Sequence, residues 1–173
     1  MIKRILDVDA IESEKINLAM KTENLAEITK EVAANFQMMA KNKSIQLNVI
    51  DKSENPISII DKNCLIQVLE NIISNAIKYT FKNTNITIVI NEFAEQVEIS
   101  VTDQGPGISE EDQSKMFGHF QKLSAKPTGG EESYGLGLSI VKKYVEAMKG
   151  TIQCKSKLQE GTTFLVTFDK IRQ

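Results

Sequence analysis

Asn71 and Asn75 stand four residues apart in the run Glu70-Asn71-Ile72-Ile73-Ser74-Asn75-Ala76-Ile77-Lys78-Tyr79-Thr80, and Lys78 follows three residues later. In a helix, positions i, i+4 and i+7 lie one above another on one face. Two carboxamides and a cation so placed suit a magnesium–triphosphate complex. Magnesium takes hard oxygen ligands and keeps several waters, drawing the rest from one or two protein groups and from phosphates. A carboxamide oxygen supplies a ligand without adding negative charge, and Lys78 offsets the charge of the phosphates. A solvated helix face would carry the same three residues, so other segments must decide.

Three downstream segments bear on that choice. Val101-Thr102-Asp103-Gln104-Gly105-Pro106-Gly107-Ile108 sets a carboxylate where an alternating strand ends and a glycine turn begins. A carboxylate held there can accept a hydrogen bond from an exocyclic amine, while glycines let backbone approach a flat ring. Tyr134-Gly135-Leu136-Gly137-Leu138-Ser139-Ile140 leads glycines into a helix, where free N–H groups and the helix dipole suit phosphate. Gly161-Thr162-Thr163-Phe164 is by itself a turn into a strand. Each segment alone also reads as an ordinary turn or helix entry.

The elements that must hold these residues follow from periodicity. Asp61 is an N-cap candidate, and Leu65, Val68, Leu69, Ile72, Ile73, Ala76 and Ile77 recur at helical spacing. Asn24 with Glu27 resembles a capping box before a second helix through Leu25, Ile28, Val32, Phe36 and Met39. Residues 45–49 and 57–60 read as strands. Ile86, Ile88 and Ile90 alternate, as do Val97, Ile99 and Val101, which predicts two strands joined near Glu92–Glu95. A short helix is expected around residues 110–117, followed by residues 118–134 without usable periodicity, a loop or lid. Leu136 to Met148 is helical and stops at Lys149-Gly150, and Ile152, Cys154, Phe164, Val166 and Phe168 mark two last strands. Residues 1–18 read as the end of a longer helix without an N-terminal signal, and 19–23 as a polar connector. The order indicates an α/β sandwich, one mixed sheet covered on one face by helices.

Composition narrows the function classes. The 173 residues, 41% hydrophobic and 25% charged, suffice for one domain plus an appendage. A net charge of −2 argues against general affinity for nucleic acid. No apolar run reaches the ~20 residues of a membrane-spanning helix, so no membrane contact is expected. Cys64 and Cys154 lie in apolar patterns and read as buried free thiols, which fits a reducing cytoplasm. His119 is the single histidine, which leaves no histidine-based metal site or Ser-His-Asp triad.

In order and spacing, these segments resemble the ATP-binding catalytic domain of sensor histidine kinases, in the superfamily shared with DNA gyrase, MutL and a heat-shock chaperone. The N box resembles Asn71 to Tyr79, the G1 box Asp103 to Gly107, and the F box Phe117-Gly118-His119-Phe120-Gln121-Lys122. The G2 box resembles Gly135-Leu136-Gly137-Leu138, and the last motif Gly161-Thr162-Thr163-Phe164. The resemblance implies a Bergerat-type fold: an α+β two-layer sandwich with a mixed, mostly antiparallel five-stranded sheet under about three helices. It implies that Asn75 and Asn71 hold Mg²⁺, that Lys78 and Tyr79 contact phosphate or ribose, and that Asp103 accepts the adenine amine. Gly105, Gly107, Ile108 and Thr162 would line the nucleotide, and Gly135, Leu136, Gly137 and Leu138 would face the phosphates. Residues 109–134 would be a lid anchored by Phe117 and Phe120. Lys122 stands where the family often has arginine, which keeps the charge and loses the bidentate fork.

The same resemblance assigns residues 1–22 to the end of a dimerisation and phosphoacceptor domain and 23–173 to the catalytic domain. Its expected partners are ATP, that phosphoacceptor domain and a response-regulator receiver. The fragment would be monomeric and the full-length kinase a homodimer. Hydrolytic relatives and anti-sigma-factor serine kinases typically carry glutamate where this chain has Asn71. A carboxamide cannot take a proton at neutral pH, so water or a serine hydroxyl would be poorly activated. A neutral imidazole needs less help, and phosphoryl transfer then rests on positioning and charge, with Asn71, Lys78 and Lys122 as the catalytic set. The alternatives are a serine kinase of the anti-sigma type and a non-catalytic nucleotide-binding module.

Overall fold

The computed structural model of the chain describes residues 16–118, 124, 126–128 and 137–171. Alternating apolar residues build the main sheet from β2 (Gln46–Lys52), β4 (Asn85–Glu92), β5 (Gln96–Asp103), β6 (Thr151–Lys157) and β7 (Gly161–Asp169). Strand order is β2-β4-β5-β7-β6. β2 runs parallel to β4 and every other pairing is antiparallel. A parallel neighbour needs a crossover, which β3 (Ile57–Ile60) and α2 (Lys62–Tyr79) supply. The sheet is thus the mixed, mostly antiparallel, five-stranded one expected.

One face of the sheet is apolar. Ile86, Ile88 and Ile90 of β4, Val97, Ile99 and Val101 of β5, and Phe164, Val166 and Phe168 of β7 are buried on it. Helices α1 (Leu25–Asn42), α2 and α4 (Gly137–Ala147) cover that face, and the short α3 (Glu110–Lys115) lies beyond β5. α2 contributes the whole predicted stripe, from Leu65 to Ile77, to the core. Each large aliphatic so buried stabilises the fold by about 1.5–3 kcal/mol. That stripe settles the helix orientation, and hence which face Asn71, Asn75 and Lys78 occupy.

Two local expectations differ. Residues 16–20 form no helix, and Lys21–Asn24, inside the expected connector, is a strand, β1. β1 pairs antiparallel with β3 in a separate two-stranded sheet. The polar sequence Lys21-Thr22-Glu23-Asn24 carries no strand pattern of its own, and the pairing comes from β3 being free on that side. β3 is fastened at its start to the end of β7 and the residues after it: Ser58 Oγ donates to the Asp169 carbonyl at 2.7 Å, and Ile171 N to the Ile57 carbonyl at 3.0 Å.

Candidate nucleotide site

The exposed side of α2 is the platform. Asn71, Asn75, Lys78 and Tyr79 are all half-buried. Asn71 Nδ2 donates to the Gln67 carbonyl at 2.8 Å, so its Oδ1 is the outward atom. The first residue of α4 closes on that oxygen: a Cβ on Gly137 would sit 2.9 Å from Asn71 Oδ1. The C-terminal turn of α2 is held from outside, because Lys43 Nζ donates to the carbonyls of Ile77 and Lys78 at 2.7 Å each. A cation there complements the negative end of the helix dipole.

Asp103 ends β5 and is 5% exposed. Its Oδ1 accepts the Gly105 N–H at 2.8 Å, and the Thr162 N–H also reaches the carboxylate. Burial nevertheless dominates and pushes the carboxyl up to about 6, so these two donors do not offset its lost hydration. An under-compensated buried acceptor is what a ligand amine would satisfy. The Cys154 thiol of β6 is pushed up to about 12 by its own burial and by the Asp103 charge, which places the thiol near that carboxylate.

The glycine turn after Asp103 docks directly on the end of α2. A Cβ at Gly105 would come within 2.7 Å of the Tyr79 carbonyl oxygen, so no larger residue fits. Thr80, fully buried, accepts the Gln104 N–H on its Oγ1 at 3.0 Å. Gly161 has φ +91 and would overlap the Asp103 carbonyl oxygen if it carried a Cβ, so the last motif packs behind the carboxylate. Gly107 packs against the Lys157 carbonyl, and Ile108 N donates to Ser156 Oγ at 2.8 Å. Ser156 Oγ in turn meets Thr162 Oγ1 at 2.8 Å, which ties β6, β7 and the turn together.

Described residues of the segment expected to be a lid touch the same helix end. Thr128 N donates to the Lys78 carbonyl at 3.0 Å, and Thr128 Oγ1 to the Thr80 carbonyl at 2.7 Å. Ser124 donates from N and from Oγ to Asp112, whose carboxyl these bonds hold below the usual carboxylate range. Phe117 is half-buried against the core with Lys142 Nζ 5.9 Å from its ring centroid, and Leu138 also packs against the core. His119, Phe120, Lys122, Gly135 and Leu136 lie outside the described residues. Reading by motif passed over Thr80, Thr128, Ser156 and Lys43 as site residues. Thr80 alone had a signal, as the residue closing the polar helix run.

Fold and site together define an α/β sandwich with a buried carboxylate at the end of a central strand and a covering helix that carries carboxamides. The chain belongs to the family of histidine kinase-, DNA gyrase B- and HSP90-like ATPases, whose model matches residues 60–172. Histidine kinase P4 of Formosa agariphila is 32% identical over 170 residues, which span 96% of this chain and 12% of that protein. The nucleotide-free catalytic domain of histidine kinase ThkA is similar at a TM-score of 0.77 and 30% identity, covering 88% of this chain and 97% of that one. ThkA solved in complex with the response regulator TrrA gives a TM-score of 0.80 at 27% identity, over 98% of this chain and 47% of that one. No helix among the described residues is long and apolar enough to cross a membrane.

Proposed function

We propose that the chain is the catalytic domain of a two-component sensor histidine kinase, binding Mg–ATP and passing its γ-phosphoryl group to a histidine on a phosphoacceptor domain. The observation that carries this is the convergence of two distant segments on the C-terminal half of one helix, α2. The turn after Asp103 reaches the Tyr79 carbonyl, and the start of α4 reaches Asn71 Oδ1. Asp103 would accept the adenine amine, and the N–H groups opening α4 would face phosphate. Lys78 would offset phosphate charge.

The donor set fits Mg²⁺. With Nδ2 engaged by Gln67, Asn71 presents a neutral oxygen, and Asn75 lies one turn on. Among the described residues no three carboxylates, imidazoles or thiols cluster as a metal cage, so carboxamides and phosphates would share the ion. When bound, the metal would neutralise charge developing on the phosphates. Asn71 cannot serve as a base, which favours an imidazole acceptor over water or serine.

Residues 1–22 as the end of the phosphoacceptor domain, a response-regulator receiver as the later partner and a cytoplasmic setting belong to the same reading. The named relatives are kinases, and ThkA was solved with a response regulator. The test mixes this chain with radiolabelled ATP and a separate phosphoacceptor fragment. Acid-labile, base-stable label on that fragment is expected. Acid-stable label would move the assignment to a serine kinase.

A further inference from the structure

Asp61 has two jobs, one for each oxygen. The side chain is buried, 6% exposed. Its Oδ1 accepts the N–H groups of Asn63 and Cys64 at 2.9 and 3.0 Å and so caps α2. Its Oδ2 accepts the N–H of Ala19 at 2.7 Å, from far back in the chain. A cap needs one oxygen: at α1 the single Oδ1 of Asn24 accepts from Ala26 and Glu27 at 3.0 and 3.1 Å. A carboxamide would therefore cap α2 as well. The second carboxylate oxygen serves Ala19.

Ala19 sits in the segment Ile16–Met20, whose Ile16, Leu18 and Met20 pack against the core before the chain enters β1. The β1–β3 ladder ends with Lys21 opposite Ile60, the residue before Asp61, so the Ala19 bond carries that pairing one step onto the helix. On the other side β3 is fixed by its bonds to Asp169 and Ile171. Burial by itself would raise the Asp61 carboxyl. The N–H groups of Cys64, Ala19 and Asn63, with the Cys64 thiol, outweigh burial and hold it below the usual range. Losing one donor thus leaves a buried charge under-compensated.

We propose that Asp61 is a positioning residue that clamps the entering segment Ile16–Met20 to the helix carrying Asn71 and Asn75, so that displacement of the segment is felt at the nucleotide face. This rests on the nucleotide reading of α2. The rise of a helix puts Asn71 about 15 Å and Asn75 about 21 Å from Asp61, along one rigid element. Coupling needs such an element, biased from both ends. Peeling Ala19 away strips one donor from Oδ2, turns the carboxylate toward water and loosens the cap on which the register of α2 begins.

The test is a double-mutant cycle in the whole 173-residue chain. Asp61→Asn keeps one oxygen for the cap and sets an amide donor against Ala19, while Ala19→Pro removes the N–H from the other side. Amide hydrogen exchange across residues 71–79 and the Kd for Mg–ADP are both read. Each single variant should speed exchange there and weaken Mg–ADP by a similar factor, at least about threefold and at most the roughly hundredfold of one whole charge-assisted bond. The double variant should add nothing further. A cap without a clamp predicts wild-type exchange at 71–79 in Asp61→Asn, and that result overturns the proposal. So do single effects that multiply in the double variant. Exchange needs no nucleotide, so a wild-type chain that binds no Mg–ATP overturns the proposed function while the cycle still judges the clamp.

Discussion

At the scale of single residues, Asp103 is a carboxylate whose chemistry burial reshapes. Its folded carboxyl titrates at about 6, above the 3.8 of an exposed aspartate. Between those values the folded chain holds a proton that the unfolded chain has lost. Stability from this group therefore falls as pH rises from about 4 to about 6, and is level above. Nucleotide binding should run the other way, because an amine donates better to a carboxylate than to an acid. Calorimetry with Mg–ADP between pH 5 and 8 should show affinity dropping below about pH 6. Asp103→Asn should bind more weakly by about 1.5–3 kcal/mol and lose that component of the pH dependence. The phosphates titrate equally in both proteins, so parallel curves would remove Asp103 from the adenine site.

At the scale of elements, α2 and the turn after β5 are fitted to each other. Asp61 starts the helix, Lys43 caps its end, and Thr80 takes the Gln104 N–H. The turn can approach because residue 105 has no side chain. Gly105→Ala would force its methyl group against the Tyr79 carbonyl and Asp103 Oδ1, both under 3.0 Å away. Neither the turn nor the helix end can yield without moving Asp103 or Lys78. The substitution should lower stability by about 1–3 kcal/mol in denaturant melts and weaken Mg–ADP binding as well. A stability loss with unchanged affinity would show that the turn does not shape the site. The β1 strand belongs to this scale too. Its sequence shows no alternation, and pairing with β3 creates it.

At the scale of the whole molecule, the residues proposed to hold nucleotide come from both layers. Asp103 and Thr162 belong to the sheet, Asn71, Asn75 and Lys78 to the covering helix, and Gly137 to a second helix. A ligand bridging the layers should stabilise the fold as a unit. Mg–ATP at a hundred times its Kd adds about 2.7 kcal/mol, or roughly 5–10 °C in Tm for a domain of this size. Chelating Mg²⁺ with EDTA should cancel most of that shift. An equal shift with and without EDTA would mean that ATP is held without the metal.

Much of this was legible in the sequence because it is written in local patterns. The 3.6-residue stripe from Leu65 to Ile77 fixed α2 and the face left to Asn71 and Asn75, and alternation in Ile86–Ile90 and Val97–Val101 fixed two central strands. Two N-caps, at Asn24 and Asp61, could be read from residue type and position. What only the tertiary structure decided are the contacts between distant segments. They include Ala19 on Asp61, Thr128 on the end of α2, Ser156 on Thr162, and the burial that raises Asp103. Hydrophobic periodicity reports which side of an element leaves water. It carries no record of which backbone N–H a polar side chain will find once the layers close, and that choice decides which residues meet at the proposed site.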